Sequence, residues 1–328
     1  MNKMMLEKIY KMTQSELKKY ANEYLSNSGY QPINNDGFLY AKGTVPVLLV
    51  AHLDTVHKQT VKNIIYSNNG NKISSPEGIG ADDRNGVAII FDIIGELHCS
   101  VLLCEDEEVG CVGAKKFIKT DYIKNLDVNY MIEFDRKGNN DAVFYSCANE
   151  DFINFVEDAT NFKFATGSVS DISVLMPEAN LSAVNLSCGY YSPHTTSEYS
   201  MYDEMMDTIE AAKVLIKEKC DKPFVYVRKT YSYSNSYANF NNYHAKTYPA
   251  VGDYYGSFFD EPDPYEREDL AAIAKDDKKL ELEVVIYAES LSEEVLYANG
   301  DTKAECWMNL FMDNPSLCFN DIVDYSWS

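Results

Sequence analysis

The chain of 328 residues has no apolar run long enough to span a bilayer, and its N-terminus lacks the apolar core of a secretory signal. A membrane-spanning helix is therefore not expected, and the cytoplasm is the expected location. Basic residues are scarce: 29 Lys and Arg stand against 51 Asp and Glu, a formal charge of −22. That balance repels nucleic-acid backbones and anionic membranes, so neither is expected as a partner. Paired zinc-finger cysteines are missing as well. The eight cysteines are scattered, several in apolar strands such as those of Cys104 and Cys188, which suits reduced, buried thiols better than a disulfide framework. No Gly-x-Ser-x-Gly elbow occurs, and no cysteine has a sequence context resembling a thiol protease, so nothing suggests a covalent route.

What is present is a set of apolar runs that end in acid or imidazole. Val47 to Ala51 leads straight into His52-Leu53-Asp54, and a strand puts residues two apart on one face, so Asp54 can hold the His52 ring from behind. Gly78-Ile79-Gly80-Ala81-Asp82-Asp83-Arg84-Asn85-Gly86 precedes an apolar stretch from Val87 to Ile94 that reads as a buried helix. Glycines allow close backbone approach there, and a carboxylate at the helix entrance can face two cations. Val101 to Cys104 is followed by Glu105-Asp106-Glu107-Glu108, where mutual repulsion asks for solvent or a cation. Tyr130 to Arg136 again ends a strand in acid, with Glu133 and Asp135 on one face. Gly189 to Tyr199 carries His194 on a loop ahead of a helix starting near Asp203. Each segment alone has a plain alternative: an inconsequential strand-end histidine, an Asp-rich N-cap, solvated loop acids or a satisfied surface histidine.

Taken together, these pieces resemble the co-catalytic dinuclear zinc peptidase clan, with its M20, M28 and M42 metallopeptidase families. The resemblance runs from the first helix to about Cys220. It implies that Asp82 bridges two divalent metal ions, with a cis peptide to Asp83. It implies further that His52 and Asp135 complete one site and Glu108 and His194 the other. Glu107 matches the family's general base, and Asp54 the acid behind the first histidine. At the fourth ligand position Asp135 is preferred because it falls last in its strand, with Glu133 as the fallback. Zinc is the first expectation for both ions; cobalt or manganese suits the same donors. The implied activity is hydrolysis of a peptide bond, foremost at a free N-terminus, by an activated water with Glu107 as base. An N-acyl amino acid amidohydrolase, or a non-catalytic binding protein on a peptidase scaffold, is the alternative. The expected partner is accordingly a peptide or N-acyl amide substrate.

The expected fold class is α/β: a three-layer α/β/α zinc-peptidase domain of the phosphorylase/hydrolase-like kind, with a mixed, mostly parallel sheet. Leu6 to Ser26 reads as amphipathic helix interrupted by the possible capping box Thr13-Gln14-Ser15-Glu16, which divides it into two. Strands follow near Gly37 to Ala41 and Val45 to Ala51, and then helices and strands alternate. About sixty residues separate Asp135 from His194, too few for an inserted lid or dimerisation domain of about 100 residues. Within that interval Thr166 to Asp171 resembles a cleft-lining Ser-Asp turn, where Asp171 either meets a substrate amine or caps the next helix. Residues 1–220 are expected to form the catalytic domain and 221–266 a Tyr/Asn/Ser-rich linker closing at Pro262 to Pro264. A small α+β accessory domain, 267–328, follows, with a strand pattern at Leu280 to Tyr287 and an apolar cluster at Cys306, Trp307, Leu310 and Phe311. Its position after a linker suggests oligomerisation or recruitment.

Overall fold

The computed structural model describes residues 2–229 and three strands, 280–287, 293–300 and 322–327. The chain divides into two compact units, Met1–Ser234 and Asn235–Ser328.

Two short helices open the first unit, α1 (Lys3–Tyr10) and α2 (Gln14–Asn27). They are separated where the sequence suggests. The Thr13 hydroxyl accepts from the Glu16 amide, and the Glu16 carboxylate accepts in return from the Thr13 amide at 2.9 Å, satisfying two free donors of the α2 terminus. The chain then runs through β1 (Ile33–Asn35), β2 (Phe38–Ala41), β3 (Val45–His52), β4 (Ile65–Tyr66), β5 (Lys72–Ser74) and α3 (Ala81–Ile94). Next come β6 (Cys99–Cys104), α4 (Val112–Phe117), α5 (Asp121–Lys124), β7 (Tyr130–Arg136), β8 (Asp141–Val143) and α6 (Glu150–Thr160). The unit closes with β9 (Lys163–Ala165), α7 (Asp171–Ala179), β10 (Ala183–Ser187), β11 (Tyr190–Tyr191), β12 (Tyr199–Met201) and α8 (Tyr202–Lys217).

An eight-stranded sheet, ordered β1-β2-β6-β3-β7-β10-β8-β9, forms the middle layer. Its centre is parallel: β3 pairs in parallel with β6 and β7, and β7 with β10, while β2 and β8 join antiparallel. Central strands covered on both sides must be apolar throughout. Leu48, Leu49, Val50 and Ala51 in β3, all of β6, and Met131 and Ile132 in β7 are buried accordingly. Helix α3 packs on β3 and β7 with α1 and α8 beside it, and α4, α5 and α7 form a second group. The segment between Asp135 and His194 is spent on β8, α6, β9, α7 and β10, all within this layered domain, and no inserted lid interrupts it. A smaller sheet, β11-β12-β5-β4, holds the two ends of the His194 loop.

The first unit continues past Cys220. The Phe224 amide donates to the Asn129 carbonyl at 2.9 Å, and its carbonyl accepts from Ser182 at 2.8 Å. Its ring packs 5.1 Å from those of Phe152 and Phe155. In the second unit β13 (Leu280–Tyr287) lies between β14 (Glu293–Gly300) and β15 (Ile322–Trp327) in an antiparallel sheet, with β13 on the strand pattern read from sequence. Most of the expected linker and the cluster from Cys306 to Phe311 lie outside the described residues. Among the described residues no helix is long and apolar enough to cross a membrane.

Candidate metal centre

Ligands of open α/β sheets gather beyond the carboxyl ends of parallel strands. Here the register aligns three such ends. His52 lies opposite Cys104, the last residue of β6, and Val50 opposite Glu133, so that Asp135, next to last in β7, lies alongside the end of β3. The loop after β6 delivers Glu107 and Glu108, and the N-terminal turn of α3 delivers Asp82. Asp82 and Asp83 leave helical backbone geometry there and are joined by a cis peptide bond.

The two carboxylate oxygens of Asp82 point to different partners. Oδ1 lies 3.2 Å from His52 Nε2, which is itself 3.5 Å from Asp135 Oδ1. Oδ2 lies 3.3 Å from His194 Nε2, which is 3.1 Å from Glu108 Oε2. Two triads result, His52–Asp82–Asp135 and Asp82–Glu108–His194, sharing one carboxylate. Donors on a tetrahedral ion with bonds of 2.0–2.1 Å stand about 3.3 Å apart. The observed spacings therefore fit two such ions. Glu108 Oε1 is buried with no hydrogen-bond partner, as expected of an oxygen shaped for a cation.

The supports of this cluster are themselves polar and buried. Asp54 Oδ1 lies 3.2 Å from His52 Nδ1 and accepts from the Glu107 amide, and Oδ2 accepts from the Glu108 amide, both at 3.0 Å. One carboxylate thus orients the ring of β3 and the acidic loop of β6. Asp83 accepts from the His52 amide at 3.2 Å and the Gly86 amide at 3.0 Å. A side chain on Gly86 would meet the Asp83 carboxylate and the Phe134 carbonyl, so glycine is required for this approach. His194 sits at φ 62°, a left-handed conformation uncommon for a residue with a side chain and found most often where function over-determines the backbone.

Charge in the centre is unbalanced. Burial works against a charged His52 ring, yet Asp135, Asp54 and Asp82 outweigh it and hold its pKa well above the ordinary value. Hydrogen bonds to Asp82 and Glu108 carry His194 up to about 10. Asp82 is held low: burial opposes ionisation, but bonds to His194 and His52 prevail. Burial and the neighbouring Asp82 charge push Asp135 well up. Burial also raises Glu107, with His52 opposing and the charges of Glu108 and Asp82 adding to the rise. Two imidazoles do not neutralise this many acids, and divalent cations would.

Glu133 stands apart from the triads. Its carboxylate accepts from the Ser170 hydroxyl at 2.6 Å and the Ile172 amide at 3.4 Å; that hydroxyl also lies 3.1 Å from Asp135 Oδ2, but of the two acids it is Asp135 that meets His52. Asp171 neither caps α7 nor lines the surface. Ser173 bonds back to Ser170 at that terminus, while both Asp171 oxygens are fully buried without a hydrogen-bond partner. Burial, then the charge of Glu107, pushes Asp171 up to about 7.

Three residues with evident work here were not singled out from sequence. Arg84 is buried and donates to the carbonyls of Leu53 (3.1 Å), Asp54 (3.0 Å) and Met12 (2.9 Å), tying the β3 loop to the α1–α2 turn. Glu198 is fully buried and meets His57 at 2.6 Å and the amides of Gly80 and Asp82. No spacing rule announces these pairs, whose members lie up to 141 residues apart. Beside the centre opens a cavity of about 540 Å³ whose walls include Met12, Val56, His57, Val109, Asp54 and Glu108.

A parallel-centred α/β/α domain with this acid and imidazole cluster at its strand ends defines a metal-dependent peptide hydrolase. The chain belongs to peptidase family M28, whose sequence profile matches residues 39–211. Solved structures share the fold at low identity. Aminopeptidase PepT from Bacillus cereus is 16% identical with a TM-score of 0.54, the match covering 65% of this chain and 96% of that one. The TET aminopeptidase of a marine sediment Thaumarchaeota archaeon is 13% identical with a TM-score of 0.52, covering 66% and 96%. An aminopeptidase from Desulfurococcus kamchatkensis is 13% identical with a TM-score of 0.50, covering 66% and 94%. No curated protein matches the sequence.

Proposed function

We propose that the protein is a dinuclear zinc aminopeptidase that removes N-terminal residues from peptides. The observation that carries this reading is the division of the Asp82 oxygens between two donor triads. His52 and Asp135 would hold one ion, Glu108 and His194 the other, with Asp82 common to both; imidazole with carboxylates suits zinc, and cobalt or manganese could substitute. Bound there, the two ions would polarise the scissile carbonyl and make water acidic enough to deprotonate near neutrality.

The chain's own groups do the rest. Glu107, raised by burial, takes a proton from the attacking water as the new C–O bond forms. It returns that proton to the departing nitrogen as the C–N bond breaks. Asp54 keeps the His52 ring, Glu107 and Glu108 in register through its three bonds, and so positions base and ligands together. A protonated N-terminus is drawn to an acidic cleft of this kind. The adjoining cavity, at about 540 Å³, has room for small-peptide side chains between Met12, Val56 and Val109. The buried, unpaired thiols of Cys99, Cys104, Cys111, Cys147 and Cys188 suit a reducing compartment such as the cytoplasm.

The test is mass-spectrometric analysis of a mixed library of free-N-terminus peptides and N-acylated amino acids, with zinc-loaded wild type and Glu107→Ala. Loss of N-terminal residues with wild type alone is expected. Deacylation alone would assign an amidohydrolase instead, and no cleavage with two ions bound would favour a binding protein.

A further inference from the structure

Glu198 lies four residues beyond His194, on the loop between β11 and β12, and its side chain turns inward to full burial. Oε1 accepts from the Asp82 amide at 2.9 Å. Oε2 accepts from the Gly80 amide at 3.0 Å and meets His57 Nε2 at 2.6 Å. Gly80 has φ 63°, so the turn entering α3 is left-handed and its amides have no intrahelical partner. Without an acceptor, each buried amide would be left unsatisfied. The third arm, His57, lies flat against Gly78, where any side chain would strike the imidazole, and it lines the cavity beside the centre.

We infer that Glu198 is a positioning residue for both metal sites, fixing the main chain of Asp82 and joining it through His57 to the cavity wall. This inference rests on the dinuclear reading proposed above. Its logic is geometric. Asp82 offers one oxygen to each triad, so a small slide of its backbone misplaces a donor in both sites at once. Glu198 joins three stretches: the loop that follows His52 at the end of β3, the Gly78–Asp82 turn and the His194 loop, the last two of which carry donors. A residue that touched only one triad could not couple them.

The experiment compares zinc affinity, measured by competition with a chromogenic chelator, for wild type, Glu198→Gln and His57→Phe, alongside melting of each metal-free protein. Glutamine can still accept from one amide, but its NH2 group then faces donors. Its expected effect is a loss of about 10- to 100-fold in affinity at both sites together. His57→Phe keeps a ring over Gly78 but cannot donate, and a smaller loss at both sites is expected. Unchanged affinity in the variants overturns the assignment. So does a loss confined to one site, or lower metal-free stability with wild-type affinity, which would make Glu198 structural only. If Glu198→Gln does not fold, His57→Phe decides by the same readout. Wild type that binds no zinc would instead refute the dinuclear reading itself, and the two failures are thereby distinguished.

Discussion

Replacing Asp54 by Asn changes one oxygen to a nitrogen in the carboxylate that serves His52, Glu107 and Glu108 at once. Whichever way the amide is placed, its NH2 group faces a donor. At the Oδ1 position it opposes the Glu107 amide and His52 Nδ1, and at Oδ2 it opposes the Glu108 amide. The cheaper orientation sacrifices the single bond to Glu108. Losing a hydrogen bond to a charged group costs about 1.5–3 kcal/mol. That corresponds to roughly 10- to 160-fold in an equilibrium or rate constant. The loss falls on the residue paired with His194 and on the neighbouring base, so zinc affinity and kcat/KM should both drop within that range. Chelator competition measures the first, and hydrolysis of the best library peptide the second. If both stay within twofold of wild type, Asp54 does not organise the centre and the mechanism given for it fails.

Further outcomes are expected. Glu107→Gln should lower turnover by about 10²- to 10⁴-fold with both zinc ions retained, as read by single-turnover kinetics and elemental analysis. Stripping the metals with a chelator should abolish peptide cleavage and lower the melting temperature, because the buried acids then face only the two imidazoles, and zinc should restore both. Asp171 has a folded pKa of about 7 against an ordinary 3.8, so its contribution to stability is full below about pH 4 and lost as pH rises through 7. Asp171→Asn should therefore make the metal-free protein more stable than wild type above pH 7, by up to roughly 4 kcal/mol, and denaturant titrations at pH 5 and 8 would show the gap opening. Phe224→Ala should destabilise the first unit by about 2–3 kcal/mol, below the value for a fully buried ring, and a chain ending at Cys220 should melt lower than one ending at Lys229.

Much of this centre was legible because the sequence concentrates it. Short apolar runs such as Val47 to Ala51 and Val101 to Cys104 read as covered strands, and their carboxyl ends are where ligands gather, which singles out His52, Glu107, Glu108 and Asp135. The choice between Glu133 and Asp135 was harder, because alternation puts both on one face. It is strand register, with Val50 opposite Glu133, that brings Asp135 level with His52 near the end of β7 and leaves Glu133 two residues back, bonded to Ser170 and the Ile172 amide. The roles of Glu198, His57 and Arg84 were not legible, since each rests on bonds to segments distant in the chain and none interrupts a local pattern. Asp171 is illegible for the same reason: Ser-Asp before a helix offers either a contact for a substrate amine or a cap, but Ser173 takes the capping work and tertiary packing buries the carboxyl.

The central claim is that five side chains hold two ions through one shared carboxylate. Anomalous scattering at the zinc edge from crystals grown with zinc tests it directly. The account predicts two peaks, one among His52, Asp82 and Asp135 and the other among Asp82, Glu108 and His194. A single peak, or one displaced to Glu133 and Asp171, would contradict it.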